Sequence, residues 1–72
     1  MNIAQRIRIA RKLKGWSQAQ LAEKLNLSRG SCSQWERNVT SPSVDHLSKL
    51  ALLLDVHFEW LATGRGLREY QE

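Results

Sequence analysis

Few residues in this chain are able to do chemistry, and their spacing excludes more than it includes. Cys32 has no clear histidine partner, and a single thiol closes no internal disulfide. His46 and His57 stand eleven positions apart with no cysteine beside them, so no zinc-ligand spacing exists and no metal is expected. No paired carboxylates or nucleophile–base–orienter set can be assembled, so neither an enzyme nor a cofactor is expected. What remains is hydrogen-bonding chemistry. Between residues 28 and 37 only Cys32 and Trp35 are apolar, at i and i+3 on one side of a helix. The other sides carry Arg29, Gly30, Ser31, Ser33 and Gln34. That surface is rich in hydrogen-bonding groups and nearly free of bulky ones, which suits contact rather than catalysis.

The charge distribution bears on what would be contacted. The 72 residues carry a net charge of +4, unevenly spread. Residues 1–38 hold eight Lys and Arg against two acids (+6), and residues 39–72 hold three against five (−2). A basic half suits a polyanion such as nucleic acid, and on charge alone it suits a solvated surface equally well. The hydrophobic fraction of 42% and charged fraction of 25% are those of a globular chain, with room for one domain. Residues 1–66 form that domain in this reading, and 67–72 a short frayed tail. Arg6, Arg8 and Arg11 lie among scattered Ile and Ala with no apolar stretch of signal-peptide length after them. Nothing approaches the roughly 20 apolar residues of a membrane span, so a cytoplasmic setting without membrane contact is expected. No small-molecule ligand is evident.

The elements that must position the polar run are helices throughout, because no stretch alternates cleanly in the way a strand requires. The first is predicted from about Asn2 to Lys14, with Ile3, Ile7 and Ala10 on one face and Gly15 as its stop. The second opens at Ser17, which forms an S-x-x-Q capping box with Gln20, and ends near Asn26, a residue that tolerates positive φ. The third takes Ser28 as N-cap and runs to about Arg37, with Asn38 in the left-handed position after it. Pro42 and a capping Ser43 start the fourth, whose stripe Leu47, Leu50, Ala51 and Leu54 is the main apolar face. A short fifth covers about Phe58 to Ala62. The three-residue turn Asn26-Leu27-Ser28 forces the second and third helices to cross steeply, and small Ala22 lets their axes approach. The polar face of the third helix then projects where a DNA major groove about 12 Å wide could receive it.

Residues 7–64 resemble the Cro/phage-repressor (XRE-type) helix-turn-helix family. The resemblance is carried by Ile7 and Arg11, by Trp16-Ser17-Gln18-Ala19-Gln20-Leu21-Ala22, by Leu27 through Glu36, and by Pro42-Ser43, Leu47, Leu50-Ala51, Leu54 and Trp60-Leu61. It implies an all-α, five-helix, lambda-repressor-like fold and a sequence-specific transcriptional regulator, a repressor, that docks helix 28–37 on an operator half-site. Ser17 and Gln18 fall at the start of the second helix, where Gln18 matches a position that contacts phosphate and the base beside it. Ser28, Arg29, Gly30, Ser33 and Gln34 match groove-facing positions, and Ser31 grips phosphate or a water. Arg29 has the geometry to pair with O6 and N7 of guanine, and Gln34 with N6 and N7 of adenine. Arg37, Asn38 and Thr40 match a loop that grips the DNA backbone, while Arg11 and Glu36 match a structural ion pair beneath the recognition helix. Asn26 stands where the family usually has Gly, and Gly30 interrupts the recognition helix.

One such module buries only about 600–1,000 Å² on DNA, so a homodimer is expected on half-sites about one helical turn apart. Phe58, Trp60 and Leu61, and less directly Leu67 and Tyr70, are the candidate dimer contacts. The alternative is an antitoxin-like or adaptor protein-interaction module. Phe58, Trp60, Trp35 and Cys32 also read as core residues, His46 as solvent-facing and His57 as a turn residue.

Overall fold

The computed structural model describes residues 1–69. Five helices follow one another: α1 (Ile3–Lys14), α2 (Gln18–Lys24), α3 (Arg29–Glu36), α4 (Val44–Leu54) and α5 (Phe58–Thr63). Among the described residues there is no strand, only an isolated antiparallel bridge between Val56 and Glu69.

The helix starts follow from local hydrogen bonding. Asn2 and Gln5 form a reciprocal capping box, each side chain accepting from the other's backbone N–H at 2.9 Å. Ser17 and Gln20 do the same for α2, at 2.7 and 3.0 Å. Ser43 Oγ accepts from the His46 amide at 3.2 Å and opens α4. Ser28 is the exception. It occupies the N-cap of α3 in extended backbone, but its hydroxyl makes no cap bond and lies 3.5 Å from Ser31 Oγ instead.

Four helices end by one device. Gly15, Asn26, Asn38 and Asp55 adopt positive φ of 77°, 59°, 60° and 56°. After each, the next amide reaches back five residues: Trp16 to the Arg11 carbonyl, Leu27 to Ala22, Val39 to Gln34 and Val56 to Ala51, at 2.9–3.3 Å. This arrangement satisfies carbonyls that would otherwise be orphaned, and it turns the chain sharply within one or two residues. Three of the four positions hold Asn or Asp, the non-glycine residues that best tolerate the left-handed region.

Short, sharp connections fold the helices around one core. α1 packs across α3, α4 and α5, while α2 packs on α3 and α4 on α5. Ile7, Leu21, Cys32, Leu50 and Leu61 are wholly buried at its centre. The predicted stripe of α4 is buried throughout. The face of α1 is wider than its apolar spacing suggested, because Arg6 and Arg11 are buried alongside Ala4, Ile7 and Ala10. Arg6 donates to the Leu61 carbonyl at 2.9 Å, to that of Ala62 at 3.2 Å and to that of Met1. A cation therefore sits against the carbonyl end of α5, where the helix dipole favours it.

Several expectations are corrected. Trp60 and Leu61, assigned to a dimer contact, are 7% and 0% exposed and belong to the core, because α5 turns its apolar face onto α1 and α4. Phe58 and Leu67 remain exposed, and Tyr70 lies outside the described residues. The segment expected to fray from residue 67 is tied back as far as 69: the His57 amide donates to the Arg68 carbonyl at 2.8 Å, next to the Val56–Glu69 bridge. His46 is half-buried rather than solvent-facing, with its ring centroid 5.5 Å from that of Trp35.

The Arg6 contact makes two glycines unequal. Gly64 has φ 81°, and a Cβ there would lie 3.0 Å from Arg6 Nη1, whereas a Cβ on Gly15, at φ 77°, would meet nothing within 4 Å. Both Gly→Ala substitutions should lose roughly 1–2 kcal/mol from the left-handed backbone. Gly64→Ala should lose more, with a melting temperature several degrees below that of Gly15→Ala. Equal melting temperatures would show that Arg6 yields without cost.

Candidate nucleic-acid interface

The interface is built on a buried charge. Arg11 of α1 and Glu36 at the end of α3 form a two-pronged ion pair, Nε to Oε2 at 2.7 Å and Nη2 to Oε1 at 2.9 Å. Their side chains are 10% and 3% exposed. The third donor, Nη1, bonds the Trp16 carbonyl at 2.8 Å, which fixes the turn between α1 and α2. Glu36 accepts once more: Gln18 Nε2 donates to Oε1 at 3.2 Å. One carboxylate thus joins α1, α2 and α3. Its hydrogen bond holds the Arg11 guanidinium above its ordinary pKa, against the opposing effect of burial. Truncating one partner of such a pair costs about 3–5 kcal/mol, because it strands the other charge.

With the inner side of α3 pinned by Cys32, Trp35 and Glu36, its remaining residues face outward. Ser28, Arg29, Gly30 and Gln34 are exposed, and Ser31 and Ser33 half-buried. A Cβ on Gly30 would meet only Ser28 Oγ, at 3.9 Å. Packing therefore does not require the glycine, whose effect is to leave a gap in the side-chain relief of this face. Arg37, Asn38 and Thr40 are exposed on the turn that ends α3. The amides of Asn38, Val39 and Thr40 turn back to the Trp35 and Gln34 carbonyls, so that turn offers a ligand its side chains rather than its backbone donors. Ser17 is exposed and Gln18 half-buried at the start of α2. The surface is thus an uncapped, side-chain-poor helix edge flanked by Gln18 on one element and Arg37, Asn38 and Thr40 on another.

Two features escaped the sequence. Val39 is 60% exposed between Asn38 and Thr40, an apolar residue among the candidate backbone contacts. Its only signal was its place after a left-handed Asn, where such residues usually pack inward. Trp16 is half-buried at the corner before α2, where its place between Gly15 and Ser17 puts it; what escaped is the pair of lysines over its ring, Lys24 Nζ at 4.6 Å and Lys14 Nζ at 5.8 Å. Bringing Lys24 there needs the fold, because it lies at the far end of α2.

Cys32 lies on the inner side of α3 with no exposed surface. Burial, and then the nearby Glu36 carboxylate, push its thiol up to about 11 from an ordinary 9.0. The folded state therefore holds its proton where the unfolded state has lost it. The resulting stability is fully present below about pH 9 and lost as pH rises towards about 11. Alkaline unfolding curves of the wild type should fall more steeply across that window than those of Cys32→Ala. Parallel curves would mean that the thiol is accessible.

Comparison with known proteins agrees with this geometry. A family model described as helix-turn-helix matches residues 7–61. The HTH-type transcriptional regulator SinR of Bacillus licheniformis is 41% identical over 69 residues, covering 94% of this chain and 62% of that protein. The chain thus spans less than two thirds of that relative's length. The repressor c2 of P22, solved in complex with a synthetic operator, superposes with a TM-score of 0.84 at 32% identity, over 90% of this chain and 98% of that one. SinR, the master regulator for biofilm formation, solved in complex with DNA, superposes with a TM-score of 0.76 at 42% identity, over 82% of this chain and 95% of that one. With its two short helices packed together on the Arg11–Glu36 pair and the match running through five helices, the chain belongs to the helix-turn-helix family of Cro and phage-repressor type.

Proposed function

We propose that this protein is a sequence-specific DNA-binding transcriptional regulator, a repressor, that docks residues 28–37 in the major groove of an operator half-site. The observation that carries the reading is the exposed polar face of α3, held rigidly over a buried ion pair. The operator and DNA complexes of the P22 c2 repressor and SinR support it. Arg29 and Gln34 read base edges, Arg29 preferring guanine and Gln34 adenine. Gly30 admits close approach of the backbone. Ser28 and Ser33 face the groove beside Arg29 and Gln34, while Ser17, Gln18, Ser31, Arg37, Asn38 and Thr40 position the helix through phosphates and ordered water. The exposed cations near this face, Arg29 and Arg37, supply a salt-dependent part of the affinity. No helix among the described residues is long and apolar enough to cross a membrane. This reading places the protein in the bacterial cytoplasm and gives it no catalytic role.

Two copies act together on a two-fold-symmetric site, because one module buries too little for tight binding. Of the contacts expected from the sequence, Phe58 (40% exposed) and Leu67 (59% exposed) are available for that association.

Selection from a randomised duplex library at two salt concentrations tests the function. A two-fold-symmetric motif is expected, with affinity falling steeply as salt rises. Salt-insensitive binding, or no motif, would favour a protein-interaction module instead. Against the selected site, Arg29→Ala should relax the preference at one base pair, a discrimination of about 1–3 kcal/mol. Gln18→Ala should weaken selected and random duplexes alike. Equal losses on both duplexes for both variants would overturn the assignment of groove-facing residues. Sedimentation with and without the selected duplex should reveal a dimer, and a monomer under both conditions would refute the two-copy arrangement.

A further inference from the structure

We propose that Glu36 is a positioning residue for DNA recognition as well as a structural anchor: it fixes which edge of the Gln18 amide faces the nucleic acid. The proposal rests on the DNA-binding reading above. A glutamine amide is a two-sided group, with a carbonyl that accepts and an NH2 that donates two bonds. Left free on a surface, it rotates and presents either. Gln18 is not free. It is half-buried, and its Nε2 lies 3.2 Å from Glu36 Oε1, the oxygen that also accepts from Arg11 Nη2 at 2.9 Å. A carboxylate bonded through both oxygens to a guanidinium can only accept. The amide must therefore turn its nitrogen inward. Reversal would set Oε1 against a carboxylate oxygen, two acceptors in contact where little water can screen them.

One N–H of Gln18 is thereby spent. The groups left for a ligand are the other N–H and the carbonyl Oε1, in one fixed sense. DNA then meets an amide whose orientation needs no further ordering, and the rotamer entropy of a long side chain is lost on folding rather than on binding. Arg11 acts at one remove. By taking Oε2 through Nε and sharing Oε1, it keeps Glu36 aimed. The residue pair that joins α1 to α3 thus also sets the chemistry of a contact side chain on α2.

The isosteric Glu36→Gln variant separates positioning from anchoring. A glutamine at 36 still accepts from Arg11, but its own NH2 can equally well face Gln18, so the Gln18 amide is no longer held in one sense. The first measurement needs no DNA. In the free wild-type protein, the Gln18 side-chain amide proton bonded to Glu36 should resonate in the NMR spectrum downfield of its ordinary position and be protected from exchange. In Glu36→Gln that signature should disappear while the backbone spectrum remains that of the fold. Gln18 protons resembling those of the exposed Gln20 in the wild type would overturn the proposal, whatever the protein binds.

The second measurement is a double-mutant cycle on duplex binding with Gln18→Ala, Glu36→Gln and the pair. Each single variant should lose about three- to tenfold in affinity, the scale of one hydrogen bond. In the Gln18→Ala background, Glu36→Gln should cost nothing further. Independent, multiplying losses would refute positioning and leave Glu36 only an anchor. Wild-type protein that binds no duplex at all would refute both the DNA reading and this one, while the amide resonances would still report whether Gln18 is held. If Glu36→Gln fails to fold, the wild-type amide resonances decide the proposal by themselves, because they report the Gln18–Glu36 bond directly.

Discussion

The buried contact between Arg11 and Glu36 is the constraint around which α1, α2 and α3 are arranged. Three hydrogen bonds reach one carboxylate from two helices, and a fourth runs from the guanidinium to the Trp16 carbonyl. Each group is costly to bury alone and acceptable only because the others are present. The result is a spatial fix rather than a large net stabilisation. The end of α3 cannot slide against α1, and the corner before α2 cannot open, without stranding a charge. A helix of eight residues is marginal by itself, so its direction on the surface has to be imposed from beneath.

The rest of the fold serves the same rigidity through its helix ends. All five helices stop at left-handed residues, and four of them turn back within one or two positions, which leaves little slack between successive helices. Arg6 does for α5 what Arg11 does for α3, reaching from α1 to the carbonyls at its far end. Both arginines come from the half of the chain whose basic character pointed to a polyanion, and neither is on the surface. The positive charge available for a ligand is therefore smaller than the sequence total. Lys14 is engaged by Asp55, and Lys24 lies over the Trp16 ring. What distinguishes the outer face of α3 is its hydrogen-bonding capacity and lack of bulk rather than a dense field of cations.

Much of this was legible without coordinates, because the signals are local. Capping residues such as Ser17 and Ser43, and the left-handed Gly15, Asn26 and Asn38, act within one helical turn. The spacing of Leu47, Leu50, Ala51 and Leu54 declares a buried face whatever lies opposite. Ser28 reads as a cap by type, yet its hydroxyl faces Ser31, because residue type fixes what a side chain can bond and not what it does bond. Trp60 and Leu61 read equally well as core or as contact, since an apolar residue on a short helix says only that it must be covered.

By itself, then, the sequence determined the five helices, their order, the short turn between the second and third, and the polar run on the third. These depend on hydrogen bonds and periodicities among residues a few positions apart. Only the tertiary structure decided that Arg6 is buried, what covers α5, that residues 67–69 return to His57, and that the Gln18 amide faces Glu36. Each of these joins groups far apart along the chain. Solvent exclusion at such a meeting point sets the cost of a charge or the sense of an amide, and no local pattern encodes where solvent is excluded.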